Sequence, residues 1–317
     1  MKKIILFFLV FSFVIFSFLV FWNRVSIQNK QLPDHSSRVI NFVVLSDMGE
    51  YDESIKRKIV DHLGNLAKKN QIDFVAVAGD PIHGDGVESI TDKKWEVEFE
   101  NVYTAYSLHK MPFYVVSGNH EYHGNVQAIL DYSAISERWN APARYFFFEQ
   151  PVDKQQKALF VFIDTTPLID EYRNKYSDAG EQCIERQLFW LDSTLVASNS
   201  RWKIVIGHHP VYAKTEKIEK QQTDLQERVG KILENRSVDF YISGHVHNFQ
   251  YIKLENKITN YIVNSSASDS REVAPIEGTI FCKSDPGYTL FTVSADSVQF
   301  SFINHIGTTI YQNVFRK

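Results

Sequence analysis

The sequence is poor in cysteine, and it lacks both a long basic run and an internal repeat. Its 317 residues include only two cysteines, which excludes a zinc-ribbon site, since such a site uses four. No block of lysine and arginine is longer than residues 56–58 and the net charge is -4, so we expect no nucleic-acid partner. The lack of repeats leaves a globular chain of one compact domain or two small ones.

The two cysteines leave the redox state of the chain open. A disulfide between Cys183 and Cys282 is compatible with a domain outside the cytoplasm, and two buried free thiols fit the sequence equally well. Two glycosylation sequons, at residues 235–237 and 264–266, matter only in a eukaryotic secretory host.

The N-terminus carries a long apolar run. Residues 4–22 are 19 consecutive positions broken only by two serines, which is long enough to span the hydrocarbon core of a membrane. A cleaved signal peptide would need a small-x-small exit site, but the first alanine of the chain is Ala67 and no such site follows Trp22. We therefore expect residues 1–23 to be an uncleaved membrane anchor, with a cleaved signal peptide as the alternative.

Charge and composition around this run predict the arrangement of the chain across the membrane. Lys2 and Lys3 precede the run and favour a cytoplasmic N-terminus, although two basic residues after it weaken the asymmetry. Residues 24–37 have the composition of a short linker. Together these features predict a membrane-anchored protein whose residues 38–317 form a domain on the extracytoplasmic side, periplasmic or extracellular.

From Val39 onward, strand-like and helix-like segments alternate, which is the signature of a layered α/β fold. The chain is 44% apolar and 23% charged, enough for a large core. In three segments apolar residues recur every three or four positions and predict helices with one buried face. The positions are Ile55, Ile59, Leu63 and Leu66, then Ile184, Leu188, Leu191 and Leu195, then Leu225, Val229 and Ile232. After Tyr251 short strands are predicted as far as Val314.

Five of the predicted strands run directly into polar tips. These strands are residues 42–45, 74–78, 113–116, 202–206 and 240–242. Open α/β sheets place their chemistry where such strands end. The tips deliver Asp47, Asp80, Asn119, His208, and the pair His245 and His247. One such residue is usually a helix cap or a turn residue, but five tips of this kind together indicate a functional site.

Asn119 and His120 are the most informative pair among these tips. An amide oxygen can bind a hard metal ion without adding charge, and an imidazole can give or take a proton near neutral pH. The pair therefore predicts a metal ligand followed by an acid, whereas an ordinary turn is the alternative for these two residues considered alone.

The order of the motifs resembles that of the calcineurin-like metallophosphoesterases. The motifs are Asp-x-Gly at 47–49, Gly-Asp at 79–80, Gly-Asn-His-Glu at 118–121, Gly-His at 207–208 and Gly-His-x-His at 244–247. Within that family the chain resembles the small purple acid phosphatases of the tartrate-resistant type, from about Val39 to the C-terminus. The resemblance implies one catalytic domain with a four-layer α-β-β-α sandwich of two mixed sheets flanked by helices, in which the short strands after Tyr251 belong to the second sheet.

The same resemblance implies two metal ions, a bridging carboxylate and a general acid. Asp80 matches the residue that bridges the two ions, where a shared anion offsets their repulsion. By position, Asp47 and His247 fall to the first ion, and Asn119, His208 and His245 to the second. His120 matches the general acid that protonates the leaving group, while a metal-bound hydroxide is the nucleophile. The implied substrates are small-molecule phosphoesters or phosphoproteins.

The chain departs from the purple phosphatase pattern at two positions. The family has a tyrosine ligand three residues after the bridging aspartate, where this chain has His83, and we expect His83 to bind the first ion in the space left by Gly49. The ions implied by the family are iron with zinc or manganese, but His83 leaves their identity open. Lys217 replaces a further family histidine, and we place Lys217 and His209 around the metal ligands.

Two other functions remain open from the sequence. A phosphodiesterase or nucleotide pyrophosphatase would use the same metals and differ at the rim of the pocket, which the sequence does not define. A non-catalytic extracytoplasmic binding protein would keep the fold and lose turnover. The complete set of matched ligands favours the enzyme, since a decayed site should have lost some of them.

Overall fold

The computed structural model describes residues 38–49, 52–69, 71–214 and 219–317. The predicted anchor and linker, residues 1–37, lie outside these residues. Within the described part of the chain, no helix is both long enough and apolar enough to cross a membrane.

Strands and helices alternate through the first two thirds of the chain, as the sequence predicts. The strands are β1 (Ile40–Leu45), β2 (Phe74–Ala78), β3 (Phe113–Val116), β4 (Trp139–Asn140), β5 (Phe146–Pro151), β6 (Lys157–Phe162), β7 (Trp202–Ile206), β8 (Phe240–Ser243), β9 (Phe249–Ile252), β10 (Asn260–Val263), β11 (Thr279–Lys283), β12 (Gly287–Val293), β13 (Ser297–Asn304) and β14 (Thr309–Arg316). The α-helices are α1 (Glu53–Lys68), α2 (Val126–Asp131), α3 (Asp170–Lys175), α4 (Ser177–Glu181), α5 (Ile184–Ala197), α6 (Glu219–Leu225) and α7 (Lys231–Asn235). A π-helical turn, Gln226–Gly230, joins α6 to α7, and a second one lies at Trp95–Glu100.

The strands form two mixed sheets of seven strands each. The first sheet has the order β14-β13-β12-β1-β2-β3-β4, and the second has the order β11-β9-β10-β8-β7-β6-β5. At the centre of the first sheet β1, β2 and β3 are parallel, and at the centre of the second β6, β7 and β8 are parallel. Parallel neighbours end at the same edge, so each sheet brings the polar residues after its central strands together.

The two sheets pack face to face, and helices cover their outer faces. Strand β1 shows why, because its side chains alternate between the two faces. Phe42 and Val44 lie in the apolar layer between the sheets, and Phe42 stacks on Phe74 with ring centroids 5.0 Å apart. Val43 and Leu45 point the other way and pack with residues of α1. Helices α5 to α7 cover the outer face of the second sheet in the same manner, which confirms the predicted four-layer sandwich.

The sheet assignment expected for the C-terminal strands is wrong for three of them. The strands predicted after Tyr251 are present, and we expected them to belong to the second sheet. Only β10 and β11 do so, whereas β12 pairs antiparallel with β1 and carries β13 and β14 into the first sheet. Alternating apolar residues predict a strand and its buried face, but they do not identify the neighbour with which it pairs.

The two cysteines are not bonded to each other. Cys183 is exposed and Cys282 is partly exposed, and both are free thiols. The disulfide is therefore wrong for this structure, and so is the alternative of two buried thiols.

Candidate metal centre

The site forms where the central strands of both sheets end. Asp47 follows β1, Asp80 follows β2 and Asn119 follows β3, so the first sheet supplies these three residues. His208 follows β7, and His245 with His247 follows β8, so the second sheet supplies the histidines. The six predicted ligands that match the family motifs thus meet at one edge of the sandwich.

The backbone at these tips is held in an unusual conformation. Asp47, Asp80, His245 and His247 all have positive φ, between 50° and 73°. They are four of six non-glycine residues with positive φ in the described chain. Such conformations cost free energy and persist where the surrounding structure enforces them, often at functional sites. The turn after Ser243 also explains how two histidines spaced by two residues both reach the centre.

Four donor atoms surround the position predicted for the second metal. His208 Nε2 lies 3.0 Å from Asp80 Oδ2, 3.2 Å from Asn119 Oδ1 and 3.2 Å from His245 Nδ1. Ligands bound at about 2.1 Å and roughly at right angles to one another are about 3 Å apart. The spacing of these atoms therefore fits a single ion.

The position predicted for the first metal is built from Asp47, His247 and Asp80. His247 Nε2 lies 3.1 Å from the buried Asp47 Oδ1 and forms an ion pair with it. A buried carboxylate is costly unless a cation lies beside it, and in the metal-free protein the protonated His247 ring is that cation. Potential ligand atoms of Asp47, Asp80 and His208 lie within 4.8 Å of one another, so the donor set fits two ions that share Asp80.

Without metal, the carboxylates and two histidines hold each other charged. Burial opposes ionisation of Asp80, but the histidines around it, His208 first, bring its pKa well below the usual value. Burial likewise opposes protonation of His208 and His247, yet the nearby carboxylates raise the pKa of each to about 9. His245 differs, since burial and the charge of His208 lower its pKa to about 3. Bound cations would replace the protons on His208 and His247.

Further hydrogen bonds aim the ligand histidines. His208 Nδ1 bonds the Ala78 carbonyl at 2.9 Å, which leaves its Nε2 for a metal. His247 Nδ1 bonds the carboxylate of Asp269, which leaves its Nε2 beside Asp47. Outer partners of this kind fix the ring and raise its basicity. Asp269 was not predicted, and its serine-rich surroundings carry no signal that would have identified it.

Glu121 is a second residue whose role the sequence did not reveal. Its buried carboxylate accepts the N–H of Gly118 at 2.7 Å and that of Ile82 at 3.4 Å. These bonds tie the loop that carries Asn119 to the loop that carries Asp80. Burial, reinforced by the negative charge of Asp80, raises the pKa of Glu121 well above its usual value. Its position beside His120 was the available clue.

His120 stands at the open side of the centre. Its backbone N–H donates to Asp80 Oδ1 at 3.0 Å, and its Nδ1 bonds the Gly84 carbonyl at 2.8 Å. These two contacts aim Nε2 at the centre, 3.9 Å from Asp80 Oδ2. The side chain is 26% exposed, so a substrate can reach it from solvent.

His83 lies inside the centre, against Gly49. A Cβ on residue 49 would fall 2.0 Å from His83 Cβ, so only glycine leaves room for this ring. The Gly49 N–H donates to His83 Nδ1 at 3.1 Å, and His83 Nε2 lies 3.8 Å from Asp80 Oδ2. Burial lowers the pKa of His83 to about 4, so the ring is neutral. Ligation of the first metal by His83 stays a prediction.

His209 is buried next to the ligands rather than facing water. Thr165 Oγ1 accepts the His209 backbone N–H at 3.0 Å and bonds its Nδ1 at 2.8 Å. The ring centroid lies 4.4 Å from that of His245, so His209 packs against a predicted ligand. Lys217, the other residue predicted around the ligands, lies outside the described residues.

A two-sheet α/β sandwich that gathers these donors around one shared aspartate defines a class of proteins, the hydrolases with a dinuclear metal centre. Residues 40–249 match the model of the calcineurin-like phosphoesterase family, and the chain belongs to that family.

Within this family, the chain is similar to purple acid phosphatases. Purple acid phosphatase 4 of Arabidopsis thaliana is 31% identical over 254 residues, which cover 77% of this chain and 71% of that protein. Human tartrate-resistant acid phosphatase type 5 is 30% identical over 249 residues, which cover 75% of each. Among solved structures, GAP50, the anchor in the inner membrane complex of Plasmodium, matches with a TM-score of 0.73 at 23% identity over 88% of this chain and 89% of that one. At 23% identity, this structural similarity supports the fold and carries no information about function.

Proposed function

We propose that this protein hydrolyses phosphate monoesters with a dinuclear metal centre, in the manner of an acid phosphatase. The observation that carries the proposal is the arrangement of donor atoms around Asp80, whose Oδ2 lies 3.0 Å from His208 Nε2 and 3.9 Å from His120 Nε2. The carboxylate of Asp80 thus lies beside both a set of metal ligands and a partly exposed acid. Membership of the calcineurin-like phosphoesterases and purple phosphatase relatives at about 30% identity support the same reaction.

The residues divide the work by their surroundings. Asp47, Asp80 and His247 would hold one ion, and Asp80 with Asn119, His208 and His245 would hold the other. When bound, the two ions would activate water and polarise the phosphate. His120 would give a proton from Nε2 to the departing oxygen, because the Gly84 carbonyl keeps a proton on Nδ1 and aims Nε2 at the centre.

A non-catalytic binding protein fits these observations less well. Two buried carboxylates and four residues with positive φ cost folding free energy, and a protein without turnover would gain nothing from them. The same holds for a partly exposed histidine at the same place. The choice between monoesters and diesters rests on the phosphatase relatives. The test therefore compares the hydrolysis of monoesters with that of diesters, which a phosphodiesterase would prefer.

For the metals, we propose iron paired with zinc or manganese, as in the family that the sequence resembles. For location, we propose that residues 1–23 anchor the chain and that the catalytic domain faces the extracytoplasmic side. Detergent should then be needed to extract the full-length protein. Recovery of a native chain that begins beyond Trp22 would replace the anchor by a cleaved signal peptide.

The test is a substrate panel on the full-length protein. The protein is stripped with a chelator, reloaded with single metals or with iron plus zinc, and assayed with aryl and alkyl phosphates and with bis-aryl phosphate diesters. We expect monoester hydrolysis only after reloading. A preference for diesters would favour the phosphodiesterase, and the absence of turnover with every metal would contradict an enzyme.

A further inference from the structure

We propose that His83 is a fixed hydrogen-bond donor to the phosphate of the substrate, rather than a ligand of the first metal. The inference rests on the proposed function, and it replaces the ligand role expected from the sequence. It is carried by the contact between His83 and the backbone of Gly49.

That contact decides which nitrogen of the ring carries the proton. The Gly49 N–H donates to His83 Nδ1 at 3.1 Å, so Nδ1 must offer its lone pair. A neutral imidazole has one N–H, and here it must be on Nε2. A metal needs a lone pair on the nitrogen that it binds, so Nε2 of this tautomer is not a ligand. A ring turned by 180° would put a carbon toward Gly49 and lose the hydrogen bond.

The position of His83 among the donors does not by itself decide between the two roles, because a ligand atom of His83 lies within 4.8 Å of those of Asp47 and His247. The contacts that fit shared ions, His208 Nε2 to Asp80 Oδ2 and His247 Nε2 to Asp47 Oδ1, measure 3.0 and 3.1 Å. His83 Nε2 is farther from Asp80 Oδ2, at 3.8 Å. Two ligands of one ion can also be this far apart, so it is the proton on Nε2, and not the distance, that excludes ligation.

His120 shows the opposite anchoring. Its Nδ1 faces a carbonyl, that of Gly84, so a proton on Nδ1 is stabilised and Nε2 is free to release or accept a second one. The rings of His83 and His120 meet edge to face with centroids 4.4 Å apart, and both Nε2 atoms lie within 4 Å of Asp80 Oδ2. The Gly49 amide thus makes His83 a permanent hydrogen-bond donor through Nε2. The Gly84 carbonyl makes His120, an identical side chain, an acid that can exchange the proton on its Nε2.

The chemistry of the donor needs no proton transfer. His83 Nε2–H would point at a non-bridging phosphoryl oxygen held beside Asp80, and its proton would stay on the ring throughout. Negative charge on that oxygen grows or shifts as the ester bond breaks, so a donor already in place stabilises the transition state. Because the ring is buried and packed against Gly49, it does not have to be reoriented during the reaction.

The test compares full-length wild-type protein with His83→Phe, His83→Gln and His247→Ala. Each protein is stripped of metal and titrated with Zn²⁺, and bound zinc is counted by mass spectrometry. Phenylalanine keeps a ring at position 83 without a donor or a ligand atom, and glutamine restores an N–H. His83→Ala serves in place of His83→Phe if that variant does not fold.

We expect His83→Phe to bind two ions per chain with near wild-type affinity, and His247→Ala to lose one. Turnover with an aryl phosphate should fall about 100-fold in His83→Phe, as on removal of one donor to a developing oxyanion, and recover in part in His83→Gln. Loss of an ion from His83→Phe would overturn the inference, and so would two ions with unchanged turnover. The ion count does not depend on turnover, so it judges the ligand question even if the wild type hydrolyses no phosphate ester, which would instead refute the proposed function.

Discussion

Loading the metal-free protein with zinc should release about two protons per chain at pH 7. The prediction follows from His208 and His247, which belong to different predicted ion sites. The neighbouring carboxylates raise the pKa of each to about 9, so both rings are protonated at pH 7. A histidine must be neutral to bind a metal, and each ion therefore displaces one proton.

The magnitude depends on pH in a defined way. His245 has a pKa of about 3 and adds no proton to the count at pH 7, and the lowered pKa values of Asp47 and Asp80 keep both carboxylates ionised. The release from these two rings should fall from two towards zero as pH rises through about 9, and protons lost by metal-bound water add to it separately. Over the same range, the apparent affinity for each ion should rise by about tenfold per pH unit below 9 and then level off.

The stability of the metal-free protein should show the opposite trend. Because the folded-state pKa of His208 lies above its unfolded value, its stabilising effect is complete below pH 6.5 and is lost as pH rises to about 9. The shift corresponds to about 3 kcal/mol for one such buried histidine. The melting temperature of the metal-free protein should therefore fall between these pH values, while zinc protection increases.

Isothermal titration calorimetry in buffers of different ionisation enthalpy counts the released protons. His247→Ala should release one proton fewer, and His109→Gln, a change at an exposed histidine near the end of a short helical turn, should release as many as the wild type. Release of less than one proton per chain from the wild type at pH 7, with two ions bound, would refute the pairing of these histidines with the carboxylates.

Three further variants test single residues. His120→Ala should keep both ions and lose more turnover on alkyl phosphates than on nitrophenyl phosphate, because a basic leaving oxygen needs its proton most; equal losses would contradict a general acid. Glu121→Gln turns one acceptor into a donor facing a backbone N–H and should destabilise the metal-free protein by about 1–3 kcal/mol in denaturant unfolding, whereas unchanged stability would show that its oxygens do not hold these loops. Asp269→Asn should lower the affinity for one zinc ion by about 10–100-fold in a zinc titration and leave the affinity for the other unchanged. An equal loss of affinity for both ions would contradict a role of Asp269 through His247 alone.

The strands and the ligands were predictable because both depend on local patterns. The predicted strands 74–78, 113–116 and 202–206 are the observed ones, and the other two differ by at most two residues at an end, since buried parallel strands are continuous apolar runs. Polar residues after such runs meet because parallel strands end together. The family resemblance then gave each residue an expected role.

The remaining features depend on contacts between distant parts of the chain. The proton position on His83 is set by the amide of Gly49, 34 residues earlier. Asp269 reaches His247 from a loop without regular structure, so no periodicity marked it. Strand β12 pairs with β1, although their residues are about 250 positions apart in the sequence. The alternation of apolar residues in a strand does not identify its neighbour in the sheet.

The chain is expected to hydrolyse a phosphate ester with two bound ions, between which Asp80 would be the shared ligand. The most direct measurement is phosphate release from an aryl phosphate by the reloaded full-length protein, with bound metal counted in the same samples, for wild type and Asp80→Ala. We predict two ions per chain and metal-dependent release in the wild type, and fewer than two ions with no measurable release in Asp80→Ala. Undiminished phosphate release by Asp80→Ala, or by the wild type after chelation, would contradict the account.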